Sequence, residues 1–243
     1  MKYTFVTILV LSAFTFSVNG QTLKGVLKQA EEKASSVTGS TTNALSEEEV
    51  GKGLKEALTR GVEKGVEQLS KPDGYFKDLS IKIFLPEEAK VAEEKLRSIG
   101  QDKLVDDAIE SMNRAAEDAA NGAKDIFVSA IRSMTVQDAM GILKGSDDAA
   151  TRYLDKTTRA SLSDKFQPVI KSSLDKVGAT RHWTTLVTTY NKIPFVSKIN
   201  PNLEEYVTEK AIDGLFVQVA KEEKEIRKNP AARVSELLKK VFG

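Results

Sequence analysis

The chain has 243 residues, with 36 Lys and Arg against 35 Asp and Glu, one His and no Cys. So even a balance argues against a general nucleic-acid binder, which needs surplus cations against phosphate, and leaves room only for a local basic patch. Lack of cysteine removes thiol catalysis, thiolate metal sites and a lipid-anchored N-terminus, and the lone His182 excludes sites built from two or three imidazoles.

Residues 1–20 read as a secretory signal. Lys2 gives the positive start, Tyr3 to Val18 is apolar and uncharged, and Val18 and Gly20 are the small residues before a cut at Gln21. The run is short for a membrane span, and no later stretch is long and apolar enough to form one. With Lys2 removed, acidic and basic residues balance at 35 each. A cysteine-free exported chain must fold on its core alone, and residues 21–243 are long enough to do so.

The remaining pattern is helical almost throughout. Leu23, Val26, Leu27, Ala30, Ala34 and Val37 share one helix face, and Thr38 to Asn43 is a polar linker, so residues 21–45 form a helix and tether ahead of the body. Ser46 and Glu49 make a capping box. The helix they open has an apolar face of Val50, Leu54, Leu58, Val62, Val66 and Leu69, flanked by a small-residue stripe of Gly53, Ala57, Gly61 and Gly65. Such a stripe lets another backbone come close, either within the chain or in a dimer, and intrachain packing is the expectation outside a bilayer.

Pro72-Asp73-Gly74 is a turn. Ile81 to Leu85 is the one convincing period-2 segment, an extended strap or half of a small two-stranded ribbon. Helical patterning returns from Glu87 to Ser98 and stops at Gly100. A long helix follows through Leu104, Ile109, Met112 and Ala119, then another through Phe127, Ile131 and Met134. Thr135 and Asp138 start a short helix ending at Gly145, and Ser146, followed by two aspartates, caps the next. Pro168 breaks or kinks that helix, whose apolar face runs on to Val177. Residues 181–190 are ambiguous between strand and helix. Pro194 and Pro201 bracket a loop before a helix through Leu203, Val207, Ala211, Leu215 and Val219. Asn229-Pro230 opens a final amphipathic helix carrying Val234, Leu237, Leu238 and Val241, expected to dock on the body. No internal repeat is clear. The expected fold is all-α: a compact multi-helix bundle of about nine helices forming one domain over 46–243.

Several blocks in one order carry a family resemblance. They are Met112 to Glu117, Ala130 to Ala139 with Ile142 to Gly145, Ala149 to Leu154, and a tail of Gly214-Leu215-Phe216, Glu222-Glu223, Ile226-Arg227, Asn229 to Arg233 and Val241-Phe242-Gly243. Together they resemble the bacterial exported family known as domain of unknown function 4197, from about Gly51 to Gly243. The resemblance implies a helical envelope protein with a signal, at home in a Gram-negative periplasm, with secretion as the alternative. It carries no activity, so no catalytic residue transfers.

No nucleophile elbow, phosphate-binding glycine loop, EF-hand loop or dinucleotide fingerprint is present. Neither a cofactor nor a metal site is expected. Asp106, Glu110, Asn113, Arg114 and Glu117 fall on one helix side, as a recognition patch or as a solvated face braced by Glu110 and Arg114. An Arg114 beside small residues would be partly buried and need a carboxylate, with Glu117 or Asp138 as candidates. Asn113, Arg114, Glu117 and Asp138 are therefore the candidate binding residues. Residues 222–228 read as a solvated charge run. The leading expectation is a non-enzymatic periplasmic protein that binds an envelope partner or small ligand, with a homo-oligomer open. The rivals are a hydrolase using carboxylates and Arg, and a helical carrier with an apolar cavity.

Overall fold

The computed structural model describes residues 45–192, 194, 195 and 198–228. The expected signal, the helix face over 23–37, the linker and the final helix after Pro230 lie outside the described residues, as does the side chain of His182. The described helices belong to one unit beginning at Leu45. They are α1 (Glu47–Leu69), α2 (Lys90–Ser98), α3 (Asp102–Ala120), α4 (Ala123–Ser133), α5 (Val136–Lys144), α6 (Ala149–Lys176), α7 (Ala179–Tyr190) and α8 (Leu203–Lys228), with a 3₁₀ turn at Glu87–Ala89. The ambiguous 181–190 segment is helical, in α7, and the described residues hold no strand. The fold is all-α, and no single described helix is long and apolar enough to cross a membrane.

Helices α6 and α8 pack against each other at the centre, with α3 against both and α1 against α8, α4 and α5. The buried residues of α6 recur every fourth position: Ala150, Leu154, Thr158, Leu162, Phe166, Ile170 and Leu174. At 3.6 residues per turn each step advances about 40°, so the row precesses by about 240° along the helix. One fixed neighbour could not cover such a spiral, and α6 meets α5, α8, α4, α3 and α7 in turn. Pro168 lies inside α6, which runs on to Lys176 unbroken.

The small stripe of α1 packs within the chain. A Cβ on Gly61 would stand 3.1 Å from the Ile226 side chain, and one on Gly65 3.2 Å from Gln218, both on α8. That close approach also buries Glu222 and Glu223, against the reading of 222–228 as solvated surface. Lys64 donates to Glu222 at 2.7 Å. Glu223 accepts from the Ala150 and Thr151 N–H groups at 3.0 and 2.9 Å. It therefore supplies the N-terminal cap of α6, where Asp148 stands at the cap position but its side chain makes no capping bond, accepting from the Ser146 hydroxyl instead. The charge run looked solvated because its partners are distant in sequence.

The segment between α1 and α2 is a strap laid across the bundle. Tyr75 is fully buried in it and donates its hydroxyl to the Ala211 carbonyl at 2.8 Å. Gly214 makes room for the ring, since a Cβ there would lie 2.7 Å from Tyr75 Cε1.

Candidate functional site

The polar face of α3 turns inward onto this strap. Asn113 is fully buried. Its Oδ1 accepts from the Ile83 N–H at 2.9 Å, and its Nδ2 donates to the Ile83 and Ile109 carbonyls at 2.8 and 2.7 Å. One amide side chain thus meets Ile83 as a neighbouring strand would, which explains a period-2 segment without a second strand. Glu117 is also buried, and its Oε1 accepts from the Tyr75 and Phe76 N–H groups, both at 3.1 Å. Its Oε2 receives Arg114 Nη1 at 2.7 Å. Arg114 Nη2 donates to Asp73 at 2.8 Å and to Glu110 at 3.2 Å.

Asn113, Arg114 and Glu117 therefore act together, and what they bind is the chain's own 73–83 segment. Asp73, which the sequence pattern passed over, completes the cluster from a turn where it adopts a left-handed φ of 71°. The fourth candidate, Asp138, is elsewhere. It closes the capping box of α5, accepting from the Thr135 N–H at 2.9 Å, and that donor holds its carboxyl below the ordinary range. Arg114 thus finds Glu117 and not Asp138. Asp106 is likewise absent from the cluster, bound by Arg97 at 2.9 Å.

The electrostatics suit a clamp. Lys77 first, then Arg114, hold the Asp73 carboxyl below its usual value, while Glu117 first, then Asp73, hold the Arg114 guanidinium above its own. Burial first, then the Glu117 charge, pushes the Tyr75 hydroxyl up. Each shift moves titration away from neutrality, opposite to what a proton carrier needs. Among the described residues no group of three His, Asp or Glu is placed to hold a metal ion.

A cavity opens on the other side of α3. It has a volume of about 280 Å³ between α2, the first half of α3, the α6–α7 junction and the start of α8. Leu85, Leu96, Val105, Met112, Trp183 and Leu203 form much of its wall, and Leu104 and Val177 at its edge are 51% and 60% exposed. Its acidic neighbours are neutralised, Glu93 by Arg97 at 3.0 Å and Asp107 by Lys103 at 2.8 Å. Trp183 is 8% exposed, and its indole Nε1 is buried with no hydrogen-bond partner among the described residues. Buried indole N–H groups are usually paired. Helix α2, which covers one side, has no buried residue of its own. The sequence pattern counts Val105, Ala108 and Met112 as ordinary core, so it holds no signal that this stretch borders a space.

The arrangement defines a helical bundle with a pinned strap and an apolar cavity edged by ion pairs. A family model described as "Protein of unknown function (DUF4197)" matches residues 44–243, and the chain belongs to that family. No curated protein and no solved structure matches the chain.

Proposed function

We propose that this chain is an exported, non-enzymatic protein of the Gram-negative periplasm that binds a small apolar ligand in the Trp183 cavity. The observation that carries the reading is the cavity of about 280 Å³ itself, whose wall is largely the hydrocarbon of Leu85, Leu96, Val105, Met112, Trp183 and Leu203. An apolar molecule there would bury its carbon surface against that wall, the usual composition of a small-molecule site. The volume, near the lower end of such sites, fits a compact ligand rather than a long chain. The hydrolase reading loses support because Arg114 and its carboxylates are engaged with the strap and with one another. The export half of the reading rests on the N-terminal signal pattern over residues 1–20.

The test is extraction. The protein is purified from its native envelope without detergent, extracted with organic solvent, and the extract compared by mass spectrometry with that of an Ala108→Phe variant. Ala108 lines the cavity and is only partly buried, so a larger ring there fills the space without entering the core. An apolar compound recovered with the native protein and lost from the variant supports the reading. Equal recovery from both, or recovery from neither, contradicts it.

A further inference from the structure

We infer that the Trp183 cavity takes an amphiphile with a zwitterionic head, and that the head lies in a polar depression adjoining the cavity along α3. The inference rests on the reading of that cavity as a ligand site. The depression has a volume of about 540 Å³ and runs between the outer side of α3 and the last turns of α6. It shares Asp107, Ser111 and Val177 with the apolar cavity, so the two spaces meet along that edge. From Asp107 to Asp118 its α3 wall is about 16 Å long at 1.5 Å per residue. A molecule whose carbon body fills the cavity and whose other end emerges at this edge therefore places that end on a polar surface.

Five charged residues line the depression, and three of them are engaged with other side chains. Asp107 is paired with Lys103 at 2.8 Å. Glu110 is paired with Arg114 at 3.2 Å, and Arg114 is also held by Asp73 and Glu117. The two that remain, Asp118 and Lys176, are of opposite sign and have no ion-pair partner among the described residues. Asp118 accepts from the Ser173 hydroxyl at 2.7 Å. Ser173 and Lys176 are three residues apart in α6 and so share one side of that helix, with about 5–6 Å between their Cβ atoms. A carboxylate and an ammonium thus border one small space, each able to accept a counter-charge.

That pairing sets the chemistry of the head. An anionic head would meet Lys176 but be repelled by Asp118, and a cationic head the reverse. A head carrying both charges is attracted by each, whereas a neutral head gains from neither. Both protein groups are exposed, and exposed ion pairs add little affinity. Burial of the carbon body in the cavity would therefore hold the molecule, and the head would select it.

The test uses the isotope-labelled full chain and three probes that share an octyl body, each kept below its micelle concentration: octylphosphocholine, octyl sulfate and octyltrimethylammonium. The phosphocholine should shift the amide resonances of Ala108 and Met112 in the cavity and of Asp118 and Ser173 in the depression. It should bind about fivefold more tightly than either singly charged probe, by a margin that shrinks with added salt. Lys176→Gln should bring the cationic probe level with it, and Asp118→Asn the anionic one. Both side chains are exposed, so these variants keep the fold. Equal binding of the three probes, or shifts confined to the cavity, would overturn the inference and leave the cavity reading standing. So would a preference for the phosphocholine that survives both substitutions. Binding of none of the three would overturn both.

Discussion

Glu223 stands 73 residues from Ala150 in the chain and caps the helix that Ala150 helps open. Its carboxylate takes the Ala150 N–H at 3.0 Å, and the Thr151 N–H and hydroxyl at 2.9 and 2.8 Å. Arg227 balances the charge at 2.9 Å. The start of α6 is thereby fixed by tertiary contact with α8 and not by its own flanking residues.

Replacing Glu223 with Ala leaves those donors unsatisfied and should destabilise the protein by about 3 kcal/mol in urea unfolding, from about 1–3 kcal/mol for each orphaned buried group. Exposed Lys224→Ala should change stability by less than about 0.5 kcal/mol. Amide exchange in the first turn of α6 should rise in the Glu223 variant alone.

Asn113→Ala strands both backbone groups of Ile83, a residue only 2% exposed. The expected loss is about 3 kcal/mol on the same reasoning. Limited proteolysis should then cut within residues 78–86, a stretch the wild type protects. A loss of stability without new cleavage there would show that the strap is held by something other than Asn113.

Gly214 gives a sharper steric test. An added methyl would press the fully buried Tyr75 ring at 2.7 Å and Ile81 Cβ at 3.2 Å. Glycine in a helix interior ordinarily gives up about 1 kcal/mol relative to alanine, so Gly214→Ala would stabilise an open site. Here overpacking should dominate, with a net loss of about 2 kcal/mol by thermal or urea unfolding.

Asp78 links strap stability to pH. It accepts from Lys221 at 2.8 Å and from the Ser80 hydroxyl at 2.6 Å, and these partners, Lys221 first, bring its carboxyl down to about 2. In the unfolded chain the same group titrates near about 3.9. Because the folded value is the lower one, the contribution is complete above the unfolded value and is lost as pH falls from about 4 to about 2. Asp78→Asn should therefore be less stable than wild type at neutral pH, and the gap should close across that acid window in urea titrations.

Helix faces could be read from spacing because their neighbours lie three or four residues away. The face of α1, the capping boxes at Ser46 and Thr135, and the Arg114–Glu117 pair are all of that kind. The roles of Glu223 and Asn113 were illegible because each partner is a backbone group far along the chain. Tyr75 sits among turn residues, where no periodicity marks a fully buried ring. The Trp183 cavity was hidden for the opposite reason, since its walls have the spacing of ordinary core. Spacing also cannot say which face of a helix such as α6, buried in a spiral row, meets which neighbour.

The most direct measurement uses the protein's single tryptophan, which lines the proposed site. The purified protein is titrated with N-phenyl-1-naphthylamine, a neutral apolar probe, while energy transfer from Trp183 is followed. Saturable transfer in the wild type, abolished by Ala108→Phe with the helical circular dichroism unchanged, is the predicted result. Transfer that never saturates, or that is the same in the filled variant, would contradict an apolar site at Trp183.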